Sequence, residues 1–175
     1  MKKILAALLA LMMVVACVAT LASCGEAVPA DYEDAKKALE DAEYEVMASD
    51  DEDEMQAGIK AVIRAYKESE DEDEDGEYIY VYYFENDDMA KLFYKQYKQN
   101  LEQTIADAEL EIEYYELILE KYADDLEDEE KEEYEEELED AKEELEKVKE
   151  NYVVGRKGTT VWYGTKAAAD VAAAK

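Results

Sequence analysis

The stretch Tyr78-Ile79-Tyr80-Val81-Tyr82-Tyr83-Phe84 decides the fold of this 175-residue chain. All of its residues are aromatic or β-branched, which is the composition that most favours a β-strand. Because both of its faces are apolar or amphipathic, we expect a central strand that helices cover on one side. Shorter alternating runs at residues 44–48 and 59–66, and two more around Lys157-Gly158, predict a small antiparallel sheet.

Helix signals lie on both sides of these strands. Asp31 is expected to cap a short first helix, and Thr165 a short last one. Asn86 is expected to cap a longer helix, whose base packs on the sheet through Met89, Phe93 and Tyr97. We therefore predict an α+β fold, a small antiparallel sheet with helices on one face.

Two apolar seams with heptad spacing run between the third strand and the last strands. The first continues to residue 122, but extending its register past Leu126 would place glutamates in the core. We therefore predict a long antiparallel helical hairpin at about residues 101–151, inserted before the last strands. A single bent helix, or a coiled coil between two chains, is the alternative; we expect a monomer. The seams comprise Leu101, Ile105, Ala108, Ile112, Tyr115, Leu119 and Tyr122, and then Tyr134, Leu138, Ala141, Leu145, Val148 and Tyr152.

The stretch Leu21-Ala22-Ser23-Cys24 follows Lys2-Lys3 and an apolar run at residues 4–20. This layout is typical of a secretory signal, and the four residues resemble the lipobox of bacterial lipoproteins. The resemblance implies a signal peptide at residues 1–23 and lipidation of Cys24. It also implies a lipid anchor in the cell membrane, on its extracytoplasmic face. A transmembrane helix is the alternative, although no basic stop-transfer cluster follows the apolar run.

In this interpretation residues 24–30 form a tether, and residues 31–175 form a single domain. That domain resembles small uncharacterised lipoproteins of Gram-positive, clostridia-like bacteria, and no activity comes with the resemblance. The hairpin departs from the shorter pattern of that group. The segments that carry the resemblance are Ala38-Leu39-Glu40-Asp41-Ala42-Glu43-Tyr44-Glu45-Val46, Tyr82-Tyr83-Phe84-Glu85 and Val161-Trp162-Tyr163-Gly164-Thr165.

The composition excludes several classes of function. The chain has 49 acidic and 19 basic residues, and residues 24–175 keep all 49 acids and 17 of the basic residues, a formal charge of −32. Nucleic acid is excluded as a partner, because phosphate backbones require a basic footprint. The chain has no histidine, so imidazole-dependent nucleophiles and metal sites are excluded. We predict that the protein is not an enzyme; a carboxylate-dependent hydrolase is the distant alternative.

The acidic run Asp71-Glu72-Asp73-Glu74-Asp75-Gly76 matches the first half of a calcium-binding loop. Asp71, Asp73 and Asp75 would be the ligands, and Glu77 could contribute. The twelfth position of that loop is Tyr82 instead of an acid. A solvated acidic turn is the alternative interpretation, so we expect no cofactor other than weakly bound calcium.

The region of the predicted hairpin carries most of the acidic charge. Residues 124–150 hold 17 acids and 4 lysines, and residues 101–123 hold seven acids and one lysine. The tyrosine-rich strand is a second candidate surface, for sugars or peptides, although aromatic residues at strand spacing more often form the sheet core. We predict a non-enzymatic, membrane-anchored binding lipoprotein whose partner is a cationic protein or a cell-surface component. A divalent-cation-binding surface protein is the alternative.

Overall fold

The computed structural model describes residues 27–51, 55, 58–69, 76–122 and 126–174. The predicted signal peptide and Cys24 lie outside the described residues. The order of the elements confirms the predicted α+β class. They are α1 (Tyr32–Asp41), β1 (Glu45–Ser49), β2 (Ile59–Lys67), β3 (Glu77–Phe84), α2 (Asp87–Tyr122), α3 (Asp128–Asn151), β4 (Tyr152–Lys157), β5 (Thr160–Thr165) and α4 (Lys166–Ala172).

The five described strands form one antiparallel sheet in the order β1-β2-β3-β5-β4. The tyrosine-rich strand β3 is central, as predicted. Val81 of β3 pairs with Ile63 of β2 on one side and with Trp162 of β5 on the other. Because side chains alternate along a strand, Ile79 and Val81 point to one face of the sheet and Tyr82 to the opposite face.

Helices α1 and α4 cover the first face of the sheet. Their small and apolar side chains pack with the aliphatic side chains of β2 and β3 and with Trp162 of β5. This cluster is the larger of the two cores, and it agrees with the prediction of helices on one face. Its buried members include Ala35 and Leu39 from α1, Ala168, Ala169 and Ala172 from α4, and Ile63, Ile79, Val81 and Trp162 from the sheet.

Gly155 makes room for the largest side chain of this core. It pairs with Trp162 across β4 and β5. A Cβ atom on Gly155 would lie 2.2 Å from Cζ2 of Trp162, a separation that real Cβ contacts do not show. The indole is almost fully buried, and its Nε1 has no hydrogen-bond partner among the described residues. The glycine is therefore required by packing.

The base of α2 lies against the second face of the sheet. Met89, Phe93 and Tyr97 pack in the cluster that contains Tyr82 and Phe84, as the sequence predicted. The side chain of Asn86 caps this helix, because its Oδ1 accepts a hydrogen bond of 3.0 Å from the Met89 N–H. The first turns of α2 therefore cover part of the sheet face that is opposite to α1 and α4.

Asp31 and Thr165 lie at the predicted N-cap positions of α1 and α4, but their side chains do not cap the helices. The side chain of Asp31 makes no capping hydrogen bond to α1, and that of Thr165 makes none to α4. Thr165 is the last residue of β5, and its hydroxyl donates to the carbonyl oxygen of Tyr78 at 3.4 Å instead. The Thr165 side chain is therefore hydrogen-bonded to the neighbouring strand β3 and not to the first turn of α4.

Helices α2 and α3 form the predicted antiparallel hairpin. Lys149 pairs with Glu109 and Lys142 with Glu116, each at 2.8 Å. As α2 advances from residue 109 to 116, its partner in α3 therefore returns from 149 to 142, which rules out a single bent helix. α2 ends at Tyr122, and α3 begins after a capping box between Glu127 and Glu130. None of the four described helices has the length and hydropathy that crossing a membrane requires.

Candidate functional site

The hairpin is held by one thin seam. Of the described residues between 101 and 151, only Leu145 is buried. The other predicted seam residues of α2 and α3 are half-buried, apart from Tyr122, which is exposed. Tyr115 contacts Tyr134 across the seam with ring centroids 6.2 Å apart. All other sides of the hairpin face solvent, so most of its surface is available to a partner.

Ion pairs neutralise little of the hairpin's charge. Lys142–Glu116 and Lys149–Glu109 cross between the helices, and Lys147–Glu143 lies within α3. Exposed pairs of this kind contribute about 0–1 kcal/mol each. Residues 101–150 contain 24 acids against five lysines, summed from the two counts above, so a strong negative field remains.

A second apolar row runs along α2, on the side away from α3. Leu110, Tyr114 and Leu117 are 62%, 56% and 43% exposed. Their spacing of four and three residues places them in one line on the helix, and none of them belongs to the seam. Sequence analysis missed this row because the stronger seam explained the periodicity of the segment. The signal that could have revealed it is the second heptad series at positions 110, 114 and 117.

Glutamates border this apolar row. With about 100° of rotation per residue, Glu113 and Glu120 fall on one side of the row and Glu111 on the other. All three are exposed. The hydroxyl of Tyr115 donates a hydrogen bond of 3.3 Å to the carboxylate of Glu111. The Glu111 side chain is nevertheless exposed to solvent. The hairpin thus presents an apolar line that is flanked by glutamates on both sides, with Lys121 following Leu117 at the end of the line.

The part of the second sheet face beyond the α2 base contains a shallow cleft of about 470 Å³. Its floor includes Tyr80 and Tyr163, whose rings stack at 4.7 Å with an interplanar angle of 3°. Arg64 forms no ion pair with a described carboxylate, whereas Arg156, on the same face, pairs with Asp87 at 2.5 Å. The cleft is lined by Met47, Arg64, Ala65, Tyr66, Tyr78, Tyr80 and Tyr163.

Three tyrosines join α2 to the sheet beside this cleft. The rings of Tyr97 and Tyr163 stack at 4.1 Å, and both contact Tyr82. Burial, followed by the hydrogen bond with Tyr97, raises the pKa of Tyr82 to about 12. Burial and the neighbouring phenols also raise the pKa of Tyr163. The phenols of Tyr82 and Tyr163 therefore stay protonated near neutral pH.

The predicted calcium ligands are mostly outside the described part of the chain. Asp71, Asp73 and Asp75 fall there, and only Glu77 is described. Glu77 is the first residue of β3, and its carboxylate accepts a hydrogen bond from the hydroxyl of Tyr44. Among the described residues, no group of three or more Cys, Asp and Glu side chains could hold a metal ion. The calcium site stays a prediction.

Comparison with protein-family models, with curated proteins and with solved structures finds no match to the chain. The surfaces described above are therefore the basis for a function. The hairpin combines exposed apolar side chains with a net charge of one sign. The cleft combines tyrosines with one arginine, in a chain whose net charge is strongly negative.

Proposed function

We propose that this protein is a lipid-anchored, extracytoplasmic binding protein without enzymatic activity, and that its acidic hairpin binds a cationic partner protein. The observation that carries the proposal is the exposed apolar row of Leu110, Tyr114 and Leu117 within its glutamate border. The anchor is supported by the lipobox-like stretch that ends at Cys24.

The hairpin extends well past the part of α2 that the sheet needs. Tyr97 is the last residue of α2 that packs in the second core cluster. The helix has 36 residues, which corresponds to about 54 Å. Residues 98–122 thus contribute nothing to the described sheet cores, and we infer that they serve a contact outside the domain.

Charge favours a cationic partner over other occupants. Oppositely charged surfaces attract each other during the encounter and raise association rates. A second copy of this chain would instead bring glutamates against glutamates. The preferred partner is therefore a protein with a basic binding surface, and the same chemistry disfavours self-association through the hairpin.

The non-enzymatic assignment is supported by the chemistry of the cleft. Tyr82 and Tyr163, beside it, have raised pKa values. General bases work best with a pKa near the operating pH, so these side chains suit binding better than proton transfer.

Two measurements test the proposal. Cys24→Ser should move the protein from the membrane fraction to the soluble fraction; retention on membranes after a high-salt wash would contradict the lipid anchor. The mature Cys24→Ser chain should also bind a fluorescent 20-residue oligolysine at low salt.

Two variants that each remove three negative charges make the oligolysine measurement specific to the hairpin. Replacing Glu111, Glu113 and Glu120 with Gln should weaken oligolysine binding at least about fivefold, because each exposed charge contributes some tenths of a kcal/mol. Replacing Glu33 and Glu40 with Gln and Asp34 with Asn, on exposed positions of α1, is the matched control and should change little. Equal losses in both variants, or no binding by the unmutated hairpin, would contradict the proposal.

A further inference from the structure

We propose that Leu110, Tyr114 and Leu117 form the docking row for a basic amphipathic helix of the partner, an inference that rests on the proposed function. The row has the geometry that helices use to pack against each other. Anchors at positions i, i+4 and i+7 are the usual contacts of a docked helix. The row spans about two turns, or roughly 10 Å.

The exposure of the row favours a docked partner. Single exposed apolar residues are common on protein surfaces, whereas contiguous apolar patches mark interaction sites. Here three large side chains lie in one line, on a helix whose other apolar row is already occupied by α3. A partner helix would turn the two-helix hairpin into a three-helix arrangement and cover the line.

Tyr114 is positioned as the central anchor. Its ring contacts that of Tyr115 at 5.5 Å, and Tyr115 in turn contacts Tyr134 of α3. The row is therefore connected to the seam through aromatic contacts. Tyrosine is enriched among the residues that dominate binding energy at interfaces.

The border of the row specifies the charge pattern of the partner helix. Glu113 and Glu120 on one side and Glu111 on the other would face Lys or Arg residues that flank the partner's apolar stripe. This is the arrangement by which charged flanking positions select partners in coiled coils. A second copy of α2 would place glutamates on both sides of the contact, so we assign the row to a different, basic protein.

The same helix supplies a matched control. Leu92 is 65% exposed and lies 18 residues before Leu110, which is five full turns on the same side of the helix. Gln96 and Gln99 stand where Tyr114 and Leu117 stand relative to Leu110. Leu92 is therefore as exposed as Leu110, but the positions four and seven residues after it carry no apolar side chain.

The test uses the mature Cys24→Ser chain and two 21-residue peptides of leucine and lysine. One peptide has the residues at amphipathic helical spacing, and the other is a scramble of identical composition. The amphipathic peptide should bind at least about tenfold more tightly than the scramble. The double variant Leu110→Ser/Leu117→Ser should lose about tenfold in affinity for the amphipathic peptide only, whereas Leu92→Ser should bind both peptides as the unmutated hairpin does.

The outcomes separate this inference from the proposed function. Equal binding of the two peptides, or full binding by the double variant with its helical circular dichroism intact, would overturn the docking row and leave the cationic-partner proposal standing. Binding of neither peptide would overturn both. A dimer in sedimentation experiments that dissociates in the double variant would assign the row to a second copy and overturn the inference.

Discussion

Glu116 of α2 and Lys142 of α3 form an ion pair of 2.8 Å across the hairpin. Together with the pair of Lys149 and Glu109, about two helical turns away, it shows the register in which the two helices run antiparallel to each other. The register turns the seam of α2 toward α3. It also leaves the row of Leu110, Tyr114 and Leu117 in solvent, which is the basis of the proposed binding surface.

Spin labels at Glu116→Cys and Lys142→Cys test this register. Residues 24–175 with Cys24→Ser contain no other cysteine, so labelling is specific. We expect an intramolecular label separation within about 20 Å, because packed helices lie about 8–10 Å apart. Dilution with unlabelled protein is the control. A much longer separation, or a short one that disappears on dilution, would show that the hairpin is not formed within one chain.

The second prediction concerns the glycine beneath the buried tryptophan. Gly155→Ala should lower the free energy of unfolding by about 3 kcal/mol, because the new methyl group overlaps the Trp162 indole. Gly158→Ala is the comparison: it meets no atom within 4 Å, and only its φ of +56° opposes a side chain. Its cost should be about 1 kcal/mol. Urea unfolding measures both values, and a larger loss for Gly158→Ala would refute the packing explanation.

The third prediction concerns alkaline pH. Burial raises the pKa of Tyr82 to about 12 and also raises that of Tyr163, whereas an unfolded tyrosine has a pKa of about 10. The unfolded chain therefore loses these protons first. Stability should be fully present below about pH 10 and should fall as the pH rises toward 12.

Urea midpoints at two pH values check this dependence. Between about pH 8 and pH 11 the midpoint of the unmutated chain should fall more than that of Tyr163→Phe, which lacks one of the shifted phenols. Tyr114→Phe, which removes an exposed phenol, is measured alongside as the control for loss of a hydroxyl group. If Tyr163→Phe falls equally, the phenol of Tyr163 does not contribute.

The fourth prediction separates a general acidic field from a specific calcium site. Because the 24 acids of residues 101–150 repel each other across about 8–10 Å, magnesium and calcium should raise the melting temperature alike, and more than sodium at equal ionic strength. Asp73→Asn should leave this response unchanged. A rise with calcium alone that Asp73→Asn abolishes would instead support the ligands Asp71, Asp73 and Asp75.

Local signals were enough to predict much of the fold. The alternation of β2, the composition of β3, the Asn86 cap and the two heptad seams each depend on neighbours within a few residues. The register break near residue 126 favours the hairpin over a bent helix or a coiled coil between two chains, because a reversal keeps both seams apolar.

The surfaces depended on information that a single segment does not contain. The cleft brings together Met47 of β1, Arg64 of β2 and Tyr163 of β5, and which face the α2 base covers is decided by packing across the sheet. Thr165 lies at the predicted N-cap position, but its hydroxyl donates to the carbonyl oxygen of Tyr78, 87 residues away, and no local pattern indicates that acceptor. The outward row on α2 is present in the sequence as a pattern, but the seam by itself explains the helical periodicity of this segment.

The most direct test of the proposed binding surface is photo-crosslinking from the row itself. A benzophenone amino acid replaces Tyr114 in the full-length protein, in the cell that makes it, and the same amino acid at Leu92 is the control. We expect a light-dependent product at position 114 only, whose crosslinked peptide is an amphipathic helical sequence rich in Lys and Arg. A product with a second copy of this chain, a product with a segment that lacks that pattern, or no product at position 114 would contradict the proposal.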